Sequence, residues 1–347
     1  MFKENRAMKD ECSDNYLLEI VLPTYNRPEA LKHYLRIYKK TFEGFLSKIL
    51  LSVHDSSLND DTEKIVISFM LENRNIRYVK YPTDIRLDDK VFEALQAVKA
   101  EYCWLCSDGC IPSYKSFCKD IYPILKKKKY DILYLSQQDP YNTNLKEYRD
   151  QIPFFKECFW GMTGYGGSIL RRHIYGNITE GERERVKTRY SEASAFLYPC
   201  YIYDYICSRN FFAVHICSEF YDNNVEKKTS SWMVSGSALY IWGEVLCKVI
   251  DLLPTLYDDE KSFVKKSVWT NTGLSSWRRL LAMRSYGCLN AKRIIKYYKN
   301  GILNQISDNP LRFAMMLLIP KSVAGICRKL YQSRKRMSQD NESINAC

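Results

Sequence analysis

From Leu17 to Leu135 the chain alternates short β-forming runs with helical stretches, and no other feature restricts its fold as much. The runs LLEIVL, KILLSV, IRYVKY, YCWLC and DILYLS are apolar along their length instead of at every second position. Between them lie EALKHYLRIYKK, TEKIVISFML, KVFEALQAV and YKSFCKDIYPIL, which read as helices. A strand that is apolar on both sides has to be covered on both. The pattern therefore predicts an α/β fold, a Rossmann-like, mostly parallel sheet with helices on both faces.

The rhythm breaks between Ser136 and Arg172, where a Pro-, Gly- and aromatic-containing stretch is too long for a simple connector and is expected to be a functional loop. Glu180 to Tyr190 reads as a solvated helix, Phe211 to Ile216 as a further strand, and everything after Trp232 as helical. Three parts follow: a flexible polar lead at 1–16, a sheet domain at 17–220, and a helical region at 221–347. The last helix places Val323, Ile326, Cys327 and Leu330 at helical spacing among Lys321, Arg328, Lys329, Arg334, Lys335 and Arg336. It reads as an amphipathic basic tail for an anionic membrane surface, or else as a helix packed on the protein with a frayed basic end.

Composition narrows the class. With 46% hydrophobic and 27% charged residues the 347-residue chain has the make-up of a folded protein, which excludes general disorder. A formal charge of +12 calls for an acidic partner: nucleic acid, anionic lipid or a diphosphate substrate. The thirteen cysteines show no regular framework and read as reduced thiols of a cytoplasmic protein. No apolar run approaches the length of about eighteen residues that spans a bilayer, so membrane contact is expected to be peripheral.

In a parallel α/β sheet ligands sit beyond the carboxyl ends of the strands, so the residues following each strand carry the chemistry. After the first strand comes Pro23-Thr24-Tyr25-Asn26-Arg27, with none of the glycines that a dinucleotide turn requires. After the second comes His54-Asp55-Ser56-Ser57, able to hydrogen-bond a base or ribose; His54 itself reads as a polar loop residue. After the fourth comes Ser107-Asp108-Gly109, a lone carboxylate placed to hold a hard cation. No P-loop or GxSxG elbow occurs, and the four histidines form no metal motif.

IVLPTYNRPEAL, VHDSSLNDDTEKIV and EYCWLCSDGCIP, in that order and spacing, resemble glycosyltransferase family 2 over residues 17–135, and more loosely to about residue 220. The resemblance implies a GT-A fold and transfer of a hexose from a nucleoside diphosphate sugar, with inversion. It implies that Pro23, Thr24, Tyr25, Asn26 and Arg27 frame the nucleotide, that Asp55 with Ser56 binds uracil or an equivalent base, and that Ser107 and Asp108 stand for the metal-binding acidic motif, with Mg2+ or Mn2+ as cofactor. The family commonly carries D-x-D there, whereas this chain has one acid. Arg86, Lys90, Lys227 and Lys228 are candidates to share in neutralising the diphosphate. Asp88 and Asp89 fit either a helix start or a donor contact.

An attacking hydroxyl needs a carboxylate to take its proton. Asp204, in YPCYIYDYICSR, resembles the family's catalytic segment, with Asp139 and Glu192 as rivals. Trp160, Thr163, Gly164, Tyr165 and Gly166 are then expected on the acceptor side, although a tight turn with core aromatics explains them as well. The expected setting is synthesis of a bacterial surface polysaccharide (capsule, O-antigen or exopolysaccharide) on a lipid-linked acceptor, at the inner face of the plasma membrane. A nucleotide-sugar-binding relic without turnover stands as the alternative. A nucleic-acid-binding protein is the more distant one, since no binding motif for it is recognisable.

Overall fold

The computed structural model describes residues 16–109, 111–136, 145–176, 179–190, 197–218, 220 and 237–344. Contacts divide the chain into two units: one of residues 1–149, 164–180 and 210–225, the other of residues 150–163, 181–209 and 226–347.

The first unit is built on an eight-stranded sheet. Its chain order is β1 (Leu18–Thr24), α1 (Pro28–Phe42), β2 (Ile49–Asp55), α2 (Asp61–Met70), β3 (Ile76–Lys80), α3 (Leu87–Gln96), β4 (Tyr102–Leu105), a helical stretch over 114–126, β5 (Ile132–Ser136), β6 (Leu145–Tyr148), β7 (Ser168–Arg171) and β8 (Ala213–Cys217). The spatial order is β3-β2-β1-β4-β7-β5-β8-β6. β1 pairs in parallel with β2 and β4, β2 with β3, and β5 with β8, whereas β7 and the edge strand β6 run antiparallel to their neighbours.

All of β2, β4 and β5 is buried, as expected of strands that are mostly apolar on both sides. α1 turns Leu31, Tyr34, Leu35 and Tyr38 inward, at i, i+3, i+4 and i+7, and Pro28 opens it where a missing N–H costs nothing. The α/β class and mostly parallel sheet anticipated from the sequence are what the structure shows.

A buried ion pair crosses this core. Glu19, buried in β1, accepts from Arg77 Nη2 at 2.7 Å and from the Lys99 N–H at 3.0 Å. Arg77 lies on β3 with β2 between, and the β2 residue paired with both Val21 and Arg77 is Ser52, small enough to let the guanidinium pass.

The stretch 136–172, expected as a loop, contains β6, β7 and the helix α4 (Gln151–Met162). In α4, Phe154, Phe155, Cys158, Phe159 and Met162 fall on one buried helical face, and the Asp150 side chain caps the Ile152 N–H at 2.9 Å. Pro153 and Gly161 disguise the periodicity, yet a proline in the first turn removes no helical hydrogen bond.

α4 belongs to the second unit, whose other helices include α5 (Glu180–Arg189), α6 (Leu197–Ile206), α7 (Asp258–Asn271), α8 (Trp277–Ser285) and α9 (Lys321–Ile344). Trp269 is fully buried there among Met283, Leu289, Leu303 and Phe313. No helix among the described residues is long and apolar enough to cross a membrane. The ten cysteines among them are free thiols.

Removing one member of a buried ion pair leaves an uncompensated charge. Arg77→Met should lower the unfolding free energy by about 3–5 kcal/mol in a urea titration. Adding Glu19→Gln should recover more than half of it, because glutamine still accepts from Lys99 without carrying a charge.

Candidate active site

β1, β2 and β4 are parallel neighbours, so their carboxyl ends share one edge of the sheet. Chain order reverses there, passing from β1 outward to β2 and β3 and returning on the other side of β1 as β4. Such a switch point leaves a crevice beyond the strand ends. Register decides what lines it. Thr24 pairs directly with Asp55, and Asp108 follows three residues after Leu105, where β4 and its pairing with β1 end.

The turn after β1 is held by the turn after β2. Asn26 adopts φ 51°, a left-handed conformation that asparagine tolerates. Its N–H donates to Ser57 Oγ at 2.8 Å, and its Oδ1 accepts from the Leu58 N–H at 2.9 Å. Tyr25 is thereby left exposed and Arg27 is turned toward β4. Arg27 Nη1 meets Asp108 Oδ1 at 2.5 Å, half-exposed guanidinium against buried carboxylate. Burial raises the pKa of Asp108 and the Arg27 charge opposes that rise. Asp108 Oδ2 and Thr24 Oγ1 are buried without a hydrogen-bond partner among the described residues.

Asp55, expected to meet a base, is buried, and its oxygens are engaged by the protein itself. Oδ1 accepts from Ser57 N–H at 2.8 Å and Ser57 Oγ at 2.5 Å, and Oδ2 from Tyr78 OH at 2.8 Å and Lys80 Nζ at 3.1 Å. Burial first, then the Asp55 carboxylate, push the Tyr78 hydroxyl well above its ordinary range, so it stays a donor.

Lys90 is buried under the same turns, donating to Thr24 O at 2.9 Å and Ser56 Oγ at 2.8 Å. Burial brings its pKa down to about 8, with Asp55 acting in the opposite sense. His54 is a buried strand residue, not the loop residue anticipated; its Nδ1 faces Tyr81 OH at 3.0 Å. Burial, with Arg77 and Lys90 adding to it, lowers its pKa to about 3.

Arg86 and Asp88, 3.7 Å apart, stand at the start of α3, where Asp88 and Asp89 occupy the first turn that favours negative charge. Ser107 is half-buried and Pro23 precedes Thr24 within β1. Gly166, at φ 94°, donates its N–H to Leu105 O at 2.6 Å and accepts from Trp104 Nε1 at 3.0 Å, which ties the turn Gly164, Tyr165, Gly166 to the end of β4. Burial and the charge of Asp88 raise the Tyr165 pKa.

Trp160 and Thr163 belong to the second unit, where Thr163 Oγ1 donates to Trp160 O at 2.5 Å. So does Asp204, buried in α6 with Arg189 on one oxygen and Arg185 Nη2 at 3.4 Å on the other. Asp139, Glu192, Lys227 and Lys228 lie outside the described residues.

Tyr78 and Lys80 were not singled out from the sequence. Tyr78 and Lys80 are two apart in IRYVKY and so share a face, but only the pairing of Asp55 with Lys80 brings that face to the site.

No family model matches the sequence, and no curated protein matches it. Among solved structures the chain is similar to residues 1–349 of S. aureus TarS, at 11% identity and TM-score 0.49, over 83% of this chain and 88% of that one. It is also similar to the mannosyltransferase PcManGT from Pyrobaculum calidifontis, in complex with GDP-Man and Mn2+, at 11% identity and TM-score 0.46, over 87% and 86% of the two chains.

His54 binds its proton more weakly folded than unfolded, so its contribution to stability is complete above its ordinary pKa near 6.5 and is lost as pH falls toward about 3. In urea titrations across that window the wild-type stability should fall more steeply than that of His54→Gln.

Proposed function

We propose that the chain is a glycosyltransferase, moving a hexose with inversion from a nucleoside diphosphate sugar, taken to be a UDP-sugar, to a hydroxyl of a lipid-linked oligosaccharide in capsule, O-antigen or exopolysaccharide synthesis. The observation that carries this reading is the alignment of Thr24, Asp55 and Asp108 across adjacent strand ends at the switch point. Exposed Tyr25 offers a ring face to the base, while Asp55, with Ser56 and Ser57, shapes the turn beneath it. Arg27, Arg86 and Lys90 supply positive charge near the diphosphate, where a leaving group accumulates negative charge. The turn Gly164, Tyr165, Gly166 would border the acceptor.

A divalent cation fits Asp108, whose buried Oδ2 has no hydrogen-bond partner among the described residues. Asp108 is the one acid of Ser107-Asp108-Gly109 and would be the protein ligand. Diphosphate oxygens and water would complete the shell. Mg2+ or Mn2+ bound there would neutralise charge on the departing diphosphate. For the general base we take Asp204, a buried carboxylate held between two guanidinium groups. The work is placed at the inner face of the plasma membrane, with the protein peripheral. The single acid of Ser107-Asp108-Gly109 favours one second reading, a protein that binds nucleotide sugars without turning them over.

Thermal unfolding with a panel of nucleoside diphosphates and nucleotide sugars, each with and without Mn2+, tests the donor site. A ligand at about a hundred times its dissociation constant adds roughly 2.7 kcal/mol. One nucleotide should stabilise the protein, and less so without metal or in Asp108→Ala. Stabilisation by none of them sinks the reading, and stabilisation without release of nucleoside diphosphate over a panel of acceptors selects the relic. Asp204→Asn should lower kcat by about 10²–10⁴-fold and leave donor stabilisation intact; if that aspartate is only structural, the variant unfolds earlier and turns over normally.

A further inference from the structure

We infer that the outward face of α9 is a docking surface for an anionic lipid bilayer. The helix packs against α8 through fully buried Ala324, and the Arg328 guanidinium lies 4.2 Å from the Tyr286 ring centre. On that side Arg278 also stacks on Tyr331, at 4.1 Å. The packed side is therefore polar and aromatic, and the apolar side chains point elsewhere.

Val323, Ile326, Cys327 and Leu330 fall within an arc of about 100° at 100° per residue, and all four are exposed, Ile326 by 58% and Leu330 by 61%. Immediately before the helix Leu318 is 82% exposed. A contiguous apolar stripe of this kind marks an interaction surface, whereas single exposed leucines do not.

Charge selects the occupant. Lys321 and Lys329 are exposed on the same helix, the sequence continues through Arg334, Lys335 and Arg336, and the chain carries +12 overall. A second copy of the chain would bring a second set of these cations to a self-complementary interface. An anionic lipid surface attracts every one of them while its acyl region takes the apolar stripe.

The inference does not depend on the transfer reaction, since donor stabilisation reports on the other unit. The test is co-sedimentation of the full chain with vesicles of phosphatidylcholine alone or with about a third phosphatidylglycerol, at low and raised salt. Binding should require phosphatidylglycerol, weaken with salt, and fall roughly tenfold or more in Ile326→Asp/Leu330→Asp, whose exposed positions leave the melting temperature unchanged. Lys329→Glu should reduce it too. Equal binding to neutral vesicles, or binding that the variants leave unchanged, overturns the inference. So does a solution dimer that Ile326→Asp dissociates, which would assign the face to a second copy.

Discussion

A carboxylate withdrawn from water has to be met by donors from the protein, and Asp55 imposes that demand at the end of β2. Its four hydrogen bonds fix Ser57, Tyr78 and Lys80 around it. Ser57 has a single hydroxyl proton, which goes to Asp55. Its oxygen must then act as acceptor toward Thr62 Oγ1 at 3.1 Å and toward the Asn26 N–H. The left-handed Asn26 follows from that acceptor, and the direction of Arg27 follows from Asn26. One buried charge thus shapes both turns of the candidate site, which accounts for a turn without glycine where a dinucleotide-binding turn needs several.

The far side of the switch point obeys the same logic with a second buried carboxylate. Asp108 leaves β4 almost entirely buried, so it needs a cation, and Arg27 reaches across from β1 to provide one. The Arg27 guanidinium stands half in water, a position that a lysine buried in the protein does not share. Lys90 is such a lysine, fixed by Thr24 O and Ser56 Oγ beneath the turns. The site accordingly has one buried positive charge below it and one half-exposed positive charge at its mouth.

Most of the sheet domain could be read from the sequence, because strands buried on both faces have to be apolar throughout and nothing else in the chain imitates that pattern. The insertion of β7 between β4 and β5 could not. Ser168-Ile169-Leu170-Arg171 is four residues long, preceded by two glycines, and becomes a strand only because two neighbours offer unpaired backbone on either side. α4 was hidden for another reason: Pro153 and Gly161 read as breakers, although one sits in the first turn and the other near the last. At the site, the strand-end residues Thr24, Asp55 and Asp108 were legible because position after a strand suffices to place them. Tyr78 and Lys80, the β3 partners of Asp55, were not, since the register of β3 on β2 depends on contacts no local pattern encodes. His54 misled because its polarity suggested a loop, and only the depth of β2 in the sheet shows it to be buried and neutral.

Net charge illustrates the same limit from the other direction. A total of +12 suggests a basic surface, yet several of the cations are consumed internally. In the first unit Lys90 and Arg77 brace buried carbonyls and a carboxylate. In the second, Lys261 Nζ donates to Asp251 O, Leu253 O and Asp258 Oδ1, and Lys265 Nζ to Asp251 Oδ1 and Gln305 Oε1. Arg284 likewise donates to three backbone carbonyls, those of Leu289, Leu317 and Ile319. Cations spent in this way hold helix ends and strand ends together and present nothing to a partner. The charge that remains able to act at a distance is the charge at the surface, and on α9 it coincides with side chains that water does not favour. That coincidence of exposed apolar and cationic groups, more than the total, gives the basic balance of the chain its physical meaning.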